Sequence, residues 1–505
     1  MSSPYLREAL GYYKSEQFFK AARYAFAAKE QDEALEGEAY SWIALSLIRA
    51  KLYQSSSYFF IRTLQTGNKQ AIQRVLNYSQ QLLVHVGPDL LRKYLIQHTN
   101  YEDYNAMNRS AYLFSLAKEA LLIGNYQKVI GYVNGMDQES PMWPFALQMR
   151  ASAYAIMGKG EFALEDFKEC QERASNYSHY FNDSDDDEIQ SRHANEEAED
   201  LESRCIAGLA RTYYQMDRFE EAEQTYDRIP KQSLVWPDIL FEQAWNAFAK
   251  EEYNRTLGKL VSYKSSFLDF VFNPEIDVLR AQTYLALCLY NNANDVINEF
   301  NSKYSKTGEE IKSFVENNAQ NLSVFYEKGK LVLRGKTTFS KSLESVLSRF
   351  VRGPYFQNLV QAEKEILGEK KLVMRFAALQ ANVQTSSERG FPGFLEKVLD
   401  WRLKTVQSLG GAFVKNSLMD HHSALISDFE KMSFIKLEML KIAKDMLIYK
   451  NKNSSNQTNR TVGTKEPDRQ DYQYYWSFNG EFWADELGDY VFGLESACRG
   501  KNVNH

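Results

Sequence analysis

The sequence predicts an all-α chain: a superhelical solenoid of stacked helical hairpins, followed by long antiparallel helices and an aromatic C-terminal segment. Three observations predict it. Five positions at offsets 0, 3, 9, 12 and 16 recur seven times between residues 9 and 297, always with alanine in first place. Proline is scarce, 10 in 505 residues, so little interrupts a helical run. Hydrophobic residues at 44% and charged residues at 25% are a globular balance, so the chain has material for a long buried core.

The clearest hairpins are Ala210, Tyr213, Phe219, Ala222, Tyr226 and, 34 residues later, Ala244, Ala247, Tyr253, Thr256, Leu260. Small residues let two helices approach, aromatics fill the gap, and polar residues cover the rest, so each unit buries one face only against a neighbour. The same template fits Ala9, Tyr12, Phe18, Ala21, Ala25 and Ala44, Leu47, Tyr53, Ser56, Phe60. It fits again at Ala117, Ala120, Tyr126, Val129, Val133 and at Ala151, Tyr154, Gly160, Ala163, Phe167. After a slip of three it closes at Ala281, Tyr284, Tyr290, Ala293, Ile297. Pro230 and Pro237 bracket the turn between the two best hairpins, where one helix should end and another begin.

On these residues the chain resembles the tetratricopeptide repeat (TPR) proteins over residues 1–304. The family's Trp early in the first helix and Pro at the end of the second are mostly missing, and Ala replaces Gly at the small position. A narrower likeness rests on Trp236, Pro237, Leu240, Phe241, Ala244 and Trp245, and on Tyr475, Trp476, Phe478, Asn479, Gly480, Glu481, Phe482, Trp483, Asp485, Glu486 and Leu487. These resemble large TPR proteins of bacterial cell envelopes, some associated with gliding motility, which implies an exported scaffold.

Two stretches interrupt the repeats. Residues 68–104 carry Ile72, Val75, Leu76, Leu82, Leu83, Leu90, Leu91, Tyr94 and Leu95, broken at Gly87 and Pro88, and read as a degenerate helix pair. Residues 182–202 are dense in Asp and Glu and read as a loop leading into an acidic helix start. Residues 305–450 form a long-helix region, with Gly390, Phe391, Pro392 and Gly393 predicting a stop. Leu395, Leu399, Arg402, Val406, Leu409, Phe413 and then Leu425, Phe429, Met432, Lys436, Met439, Ala443, Met446 repeat at alternating steps of four and three. That period suits a projecting coiled-coil hairpin, and a bundle packed on the end of the solenoid is the alternative. Residues 451–471 read as a flexible linker, and 472–505 as an aromatic segment too apolar to stay undocked.

The chemistry of catalysis finds little to work with. His421 and His422 are adjacent, so a helix points them apart, and a solvated or seam-packed pair is the expectation. His193 and Glu197 share a face without an HExxH pattern. Asp183, Asp185 and Asp187 mimic a calcium loop, but Glu188 stands where Gly is needed and Ala194 where a bidentate Glu is needed. No Gly-rich phosphate loop or serine elbow occurs. No catalytic residue, metal or cofactor is therefore expected. A net charge of -6 argues against nucleic acid as the main partner, and no apolar run is long enough to span a bilayer. The first ten residues show no signal segment, which leaves a cytoplasmic chain if Met1 is the natural start and a periplasmic one if a leader has been removed. Cys170, Cys205, Cys288 and Cys498 are read as small buried thiols, with two disulfides the alternative in an exported chain.

The resemblance also implies a binding role. In a TPR stack the first helices line a concave groove, and the residues one step past the small positions face it. Here these are Phe114 and Lys118, Gln148, Arg204, Arg211 and Tyr214, then Phe241, Trp245 and Phe248. An aromatic step beside arginines suits a peptide with an apolar anchor and a nearby carboxylate. The alternative is a groove filled by the chain itself: Trp476, Phe478, Phe482 and Trp483 are expected to bring the tail back near Trp245, with Cys498 approaching Cys288. The expected function is a non-catalytic scaffold for partner proteins, or a purely structural component whose long helices make the contacts. The sequence does not fix the oligomeric state.

Overall fold

The computed structural model describes residues 3–175, 188–336, 339–379, 386–452, 469–470, 472–476 and 481–498. These form α1 (Pro4–Lys14), α2 (Phe18–Gln31), α3 (Glu36–Arg49), α4 (Tyr53–Gln65), α5 (Lys69–Leu76), α6 (Ser79–Val86) and α7 (Pro88–His98). Next come α8 (Arg109–Leu122), α9 (Tyr126–Asn134), α10 (Trp143–Ile156), α11 (Gly160–Ser175), α12 (Glu188–Gln215), α13 (Phe219–Tyr226), α14 (Trp236–Ala249) and α15 (Tyr253–Val261). The rest are α16 (Glu275–Ala286), α17 (Tyr290–Asn317), α18 (Leu322–Leu333), α19 (Lys341–Val351), α20 (Pro354–Leu379) and α21 (Ser386–Lys452), with a parallel pair of two-residue strands, β1 (Tyr474–Tyr475) and β2 (Tyr490–Val491). The fold is all-α and TPR-like, and it divides into two compact units: Met1–Met216 with Asn358–Leu409, and Asp217–Gln357 with Gly410–His505.

The repeat is visible in burial and in backbone alike. All seven first-position alanines are at most 1% exposed, and the residues at offset 12, from Ala21 through Ser56 and Thr256 to Ala293, are as deeply enclosed. Each first helix then ends in the same turn. The residue seven places after the alanine, namely Glu16, Lys51, Gly124, Gly158, Asp217, Glu251 or Cys288, takes a left-handed φ between 57° and 72°. In this arrangement the following amide reaches back to a carbonyl five residues earlier, as from Leu52 to Leu47 and from Leu289 to Tyr284, both at 2.8 Å. The bond satisfies a carbonyl the helix end would otherwise orphan, and it turns the chain into the second helix of the hairpin.

In the first unit, the stretch read as a degenerate pair is three short helices, α5 to α7: the break at Gly87 and Pro88 ends α6 and starts α7 as expected, and a further break at Asn77 and Tyr78 separates α5 from α6. The segments of α20 and α21 that belong to this unit lie on the repeats. Phe391 is fully buried among the rings of Phe19, Phe26 and Phe59, 5.3 to 6.4 Å away. This explains a failure of the predicted stop, since α21 runs through Pro392. An interior proline costs about 3 kcal/mol, whereas burying a phenylalanine or leucine contributes about 1.5–3 kcal/mol each, and both Phe391 and Leu395 are buried here.

A second attachment is polar. The amides of Gln54 and Ser55, in the first turn of α4, donate to the Glu369 carboxylate at 2.8 Å, and the Ser55 hydroxyl adds a bond at 2.6 Å. The residue preceding α4 is Leu52, which offers no side-chain cap, so Glu369 caps the helix from 315 residues away. Arg402, 2% exposed, donates to Gln54 Oε1 at 2.9 Å and to the Val86 carbonyl at 3.3 Å, and Gln54 in turn donates to Glu365 at 2.9 Å. Burial pushes the Glu369 carboxyl up to about 7 against the bonds it receives, and pulls Arg402 down to about 10 against the attraction of Glu365 and Glu369. Arg402, an interruption of the heptad pattern in the sequence, is thus a buried anchor.

In the second unit, α14 and α15 form one hairpin and α16 and α17 the next, with α17 extended well past the repeat. The remainder of α21 packs here, where Gly411 leaves room for the start of α18: a Cβ at that position would lie 2.0 Å from the Leu322 carbonyl oxygen. Both predicted heptad seams fall on this one continuous helix, so they do not fold back as a hairpin. Their inward residues, among them Leu395, Leu399 and Val406 in the first unit and Leu425 and Met432 in the second, are spent on packing within the units. Residues 453–468, most of the expected linker, lie outside the described residues, as do 182–187 of the acidic stretch.

The cysteines depart from the buried-thiol reading: they are paired. Cys170 on α11 and Cys205 on α12 stand on neighbouring helices with Cα atoms 5.9 Å apart, and Cys288 is bonded to Cys498 with Cα atoms 5.1 Å apart. Thiols and cystines bury equally well, so apolar surroundings alone could not separate the two readings.

Candidate protein-interaction surface

The nine residues assigned to a groove divide between the units, six in the first and three in the second. On α8, Phe114 is buried and Lys118 is held by Asp89 at 3.2 Å. Asp89 also meets Arg92 at 2.9 Å, and Arg92 reaches Glu119 at 2.9 Å, so Lys118 belongs to an internal ion network. Gln148 on α10 is half-buried. On α12, Arg204 pairs with Asp200 one turn earlier at 2.9 Å, Tyr214 is half-buried and Arg211 is exposed. Burial pushes the Asp200 carboxyl up, and Arg204 opposes the shift. Two of the cations assigned to partner recognition are therefore already engaged.

In the second unit the aromatic stripe is a continuous ladder. Phe241 meets Trp245 at 6.4 Å, Trp245 meets Phe248 at 5.7 Å, and Phe248 meets Tyr253 at 5.5 Å, each contact edge-on. The ladder rests on buried Ala244, Leu260, Ile276 and Leu279 and stays half-exposed itself. Edge-on contacts are a favoured arrangement of aromatic pairs, so the rings support one another.

The tail is seated on α15, the second helix of the same hairpin, and meets α14 at Trp236 and Leu240 instead of at the Trp245 stripe. Gly258 makes the crossing possible, since a Cβ there would lie 1.8 Å from the Tyr490 carbonyl oxygen. Around that point α15 offers side chains to the tail's backbone. Asn254 Nδ2 donates to the Leu494 carbonyl at 3.1 Å while Asn254 Oδ1 accepts from the Leu494 amide at 3.0 Å, imitating a neighbouring strand. The Gly488 amide donates to Ser262 Oγ at 2.9 Å, and Lys259 Nζ donates to the Gly488 carbonyl at 3.2 Å. Lys259 is 6% exposed; burial pulls its ammonium down, Arg255 adds to the shift, and Asp227 and Asp489 oppose it.

Of the aromatic residues expected to anchor the tail, Trp476 and Phe482 pack on rings of the tail itself. Trp476 packs on Phe482, Tyr490 and Phe492 at 4.7 to 6.4 Å, which consolidates the tail upon itself. Trp483 is 59% exposed, and Phe478 lies outside the described residues. Contact with the helices comes from Phe492 and Leu494, packed on Leu257, Leu287 and Leu289. The residues missed were Asn254, Gly258 and Ser262; a glycine inside an otherwise helix-forming second helix was the available signal.

No known family profile matches the chain, and no curated protein sequence does. Among solved structures it is similar to the crystal structure of yeast Tom70, at 10% identity and a TM-score of 0.20, over 89% of this chain and 98% of that one. An overlay that loose carries no functional meaning, and the fold is established by the hairpins themselves.

Among the described residues no group of three or more His, Cys, Asp or Glu side chains is arranged to hold a metal, and no helix is long and apolar enough to cross a membrane. His421 sits between the rings of Phe272 and Phe350, and burial pulls its imidazolium down to about 4. Like His422 beside it, it is half-buried.

Proposed function

We propose that the chain is a non-catalytic scaffold that binds partner proteins through the first helices of its hairpins, in a bacterial envelope or motility complex. The observation that carries this reading is the continuous, half-exposed ladder Phe241, Trp245, Phe248, which suits an apolar anchor on a partner segment. Arg211 and Tyr214 on α12 extend the same repeat position in the first unit. Two disulfides support an oxidising compartment, in keeping with the envelope likeness.

A second reading has an observation of its own. Met419, Ile426, Phe434, Leu437 and Leu440 are 49% to 70% exposed, and at helical spacing they lie along one face of α21. Such a stripe supports assembly through the long helix. Two double variants separate the readings, each compared with the unaltered protein by cross-linking and mass spectrometry of its native complexes. Trp245→Ala with Phe248→Ala should abolish the cross-links of a ladder-bound partner, while Phe434→Ser with Leu437→Ser should leave them intact. The reverse outcome would replace the ladder with the long helix as the contact surface.

A further inference from the structure

The two cystines are differently placed. Cys170 and Cys205 are both fully enclosed between α11 and α12. Cys498 is exposed at the end of the tail, and its partner Cys288 is only half-buried, in the left-handed turn between α16 and α17. Attack on a disulfide requires a thiolate to reach one sulfur in line, so access sets the order in which such bonds open.

What the exposed bond holds is also particular. The tail lies on α15 and the end of α16 by the packing of Phe492 and Leu494 on Leu257, Leu287 and Leu289 and by hydrogen bonds from its amides: Phe492 N to Asn254 O at 3.1 Å, Leu494 to the Asn254 side chain, Gly488 N to Ser262 Oγ, and Ala497 N to Leu287 O at 2.9 Å. Each is worth little in water, where a freed amide finds another acceptor. The cross-link joins residues 210 apart in sequence, and closing so long a loop strongly favours the docked state.

We propose that Cys288–Cys498 is a reducible clasp: a dithiol reductant opens it before Cys170–Cys205, and opening loosens the tail from α15, uncovering Gly258 and Lys259. A reductant thiolate attacks the exposed Sγ of Cys498, forming a mixed disulfide and expelling the Cys288 thiolate. The second thiol of the reductant then displaces the Cys498 thiolate and leaves as a cyclic disulfide. Two electrons pass from the dithiol to the cystine, and the two protons it gives up end on the Cys288 and Cys498 thiols. The surface uncovered carries side chains arranged to pair with an extended backbone, whichever partner the ladder on α14 binds.

The test is a titration of the full oxidised chain with dithiothreitol, with alkylation of each cysteine followed by mass spectrometry. In samples quenched after the same short exposure, Cys288 and Cys498 should reach half-alkylation at a reductant concentration about tenfold below that needed for Cys170 and Cys205, as expected when only one bond is exposed. At the same point, exchange of the Gly488, Phe492, Leu494 and Ala497 amides should accelerate about tenfold or more, the signature of local opening. The Cys498→Ser chain, which keeps the other cystine, should show that fast exchange with no reductant present. Simultaneous alkylation of all four cysteines would overturn the proposal, as would unchanged protection of those amides in both the reduced chain and Cys498→Ser.

Discussion

In the first unit, parts of two helices close over the repeats by sending charged side chains into them, whereas in the second an extended tail lies across one helix and hydrogen-bonds to it mainly through its own backbone. The difference follows from where on the repeat helix each segment lands. Glu369 meets the start of α4, where the Gln54 and Ser55 amides have no intrahelical acceptor, so a carboxylate fits there. The tail meets the middle of α15, where the helix's own amides are already used. Its backbone therefore pairs mostly with side chains, which Asn254, Lys259 and Ser262 supply, and with the Asn254 carbonyl. A helix end thus attracts a charged partner, and a helix flank a backbone one.

The sharpest way to break the comparison is Arg402→Ala. The variant removes the cation from a site where Glu365 and Glu369 stay behind, and it vacates a side chain 2% exposed. Removing one member of a buried ionic cluster costs about 3–5 kcal/mol, so the urea midpoint should fall steeply. A change under about 1 kcal/mol, the range of an exposed ion pair, would mean that the closure of the first unit does not rest on this cluster.

Gly258→Ala is the corresponding test of the second unit, with a smaller expected effect. Alanine is favoured over glycine in a helix by about 1 kcal/mol, so an isolated α15 would gain. Against that stands a Cβ placed 1.8 Å from the Tyr490 carbonyl oxygen and 2.9 Å from the Val491 nitrogen, atoms of a backbone that cannot rotate aside. Overpacking of that kind costs about 1–3 kcal/mol. The expected outcome is a net loss of stability together with faster exchange of the Phe492 amide. A rise in melting temperature with the tail still protected would show that the crossing is looser than its geometry.

How much of this was legible depended on the distance over which each feature is encoded. The seven alanines and their turns are local, so a fixed spacing revealed them, and even the slip of three before Ala281 left the pattern intact. The Glu369 cap links residues 315 apart and leaves no periodic trace. Pro392 reads as a stop because nothing nearby in sequence announces that Phe19, Phe26 and Phe59 will surround Phe391. The ladder on α14 could be read because it is a helical stripe of large rings. The ion pair that occupies Lys118 was out of view, since Asp89 lies on another helix, whereas Asp200 stands four residues before Arg204 on α12, a spacing that marks a helical pair.

The smallest effect concerns what the two units share. Lys51 in the first and Glu251 in the second occupy the same left-handed turn, with φ of 59° and 61°, and both are exposed. An L-residue there pays about 1–2 kcal/mol that glycine does not, while glycine gives back about 0.4–1 kcal/mol through the greater freedom of the unfolded chain. Lys51→Gly and Glu251→Gly should therefore each stabilise by about 0.5–1 kcal/mol, read as a rise in melting temperature. Gly124→Ala, which puts a Cβ into the same turn at φ 72°, should destabilise by a similar amount. Equal gains at Lys51 and Glu251 would locate the contrast between the units in the closing segments alone. Unequal gains would mean that the hairpins themselves carry different strain, and that part of the difference assigned to helical lid and tail belongs to the repeats beneath them.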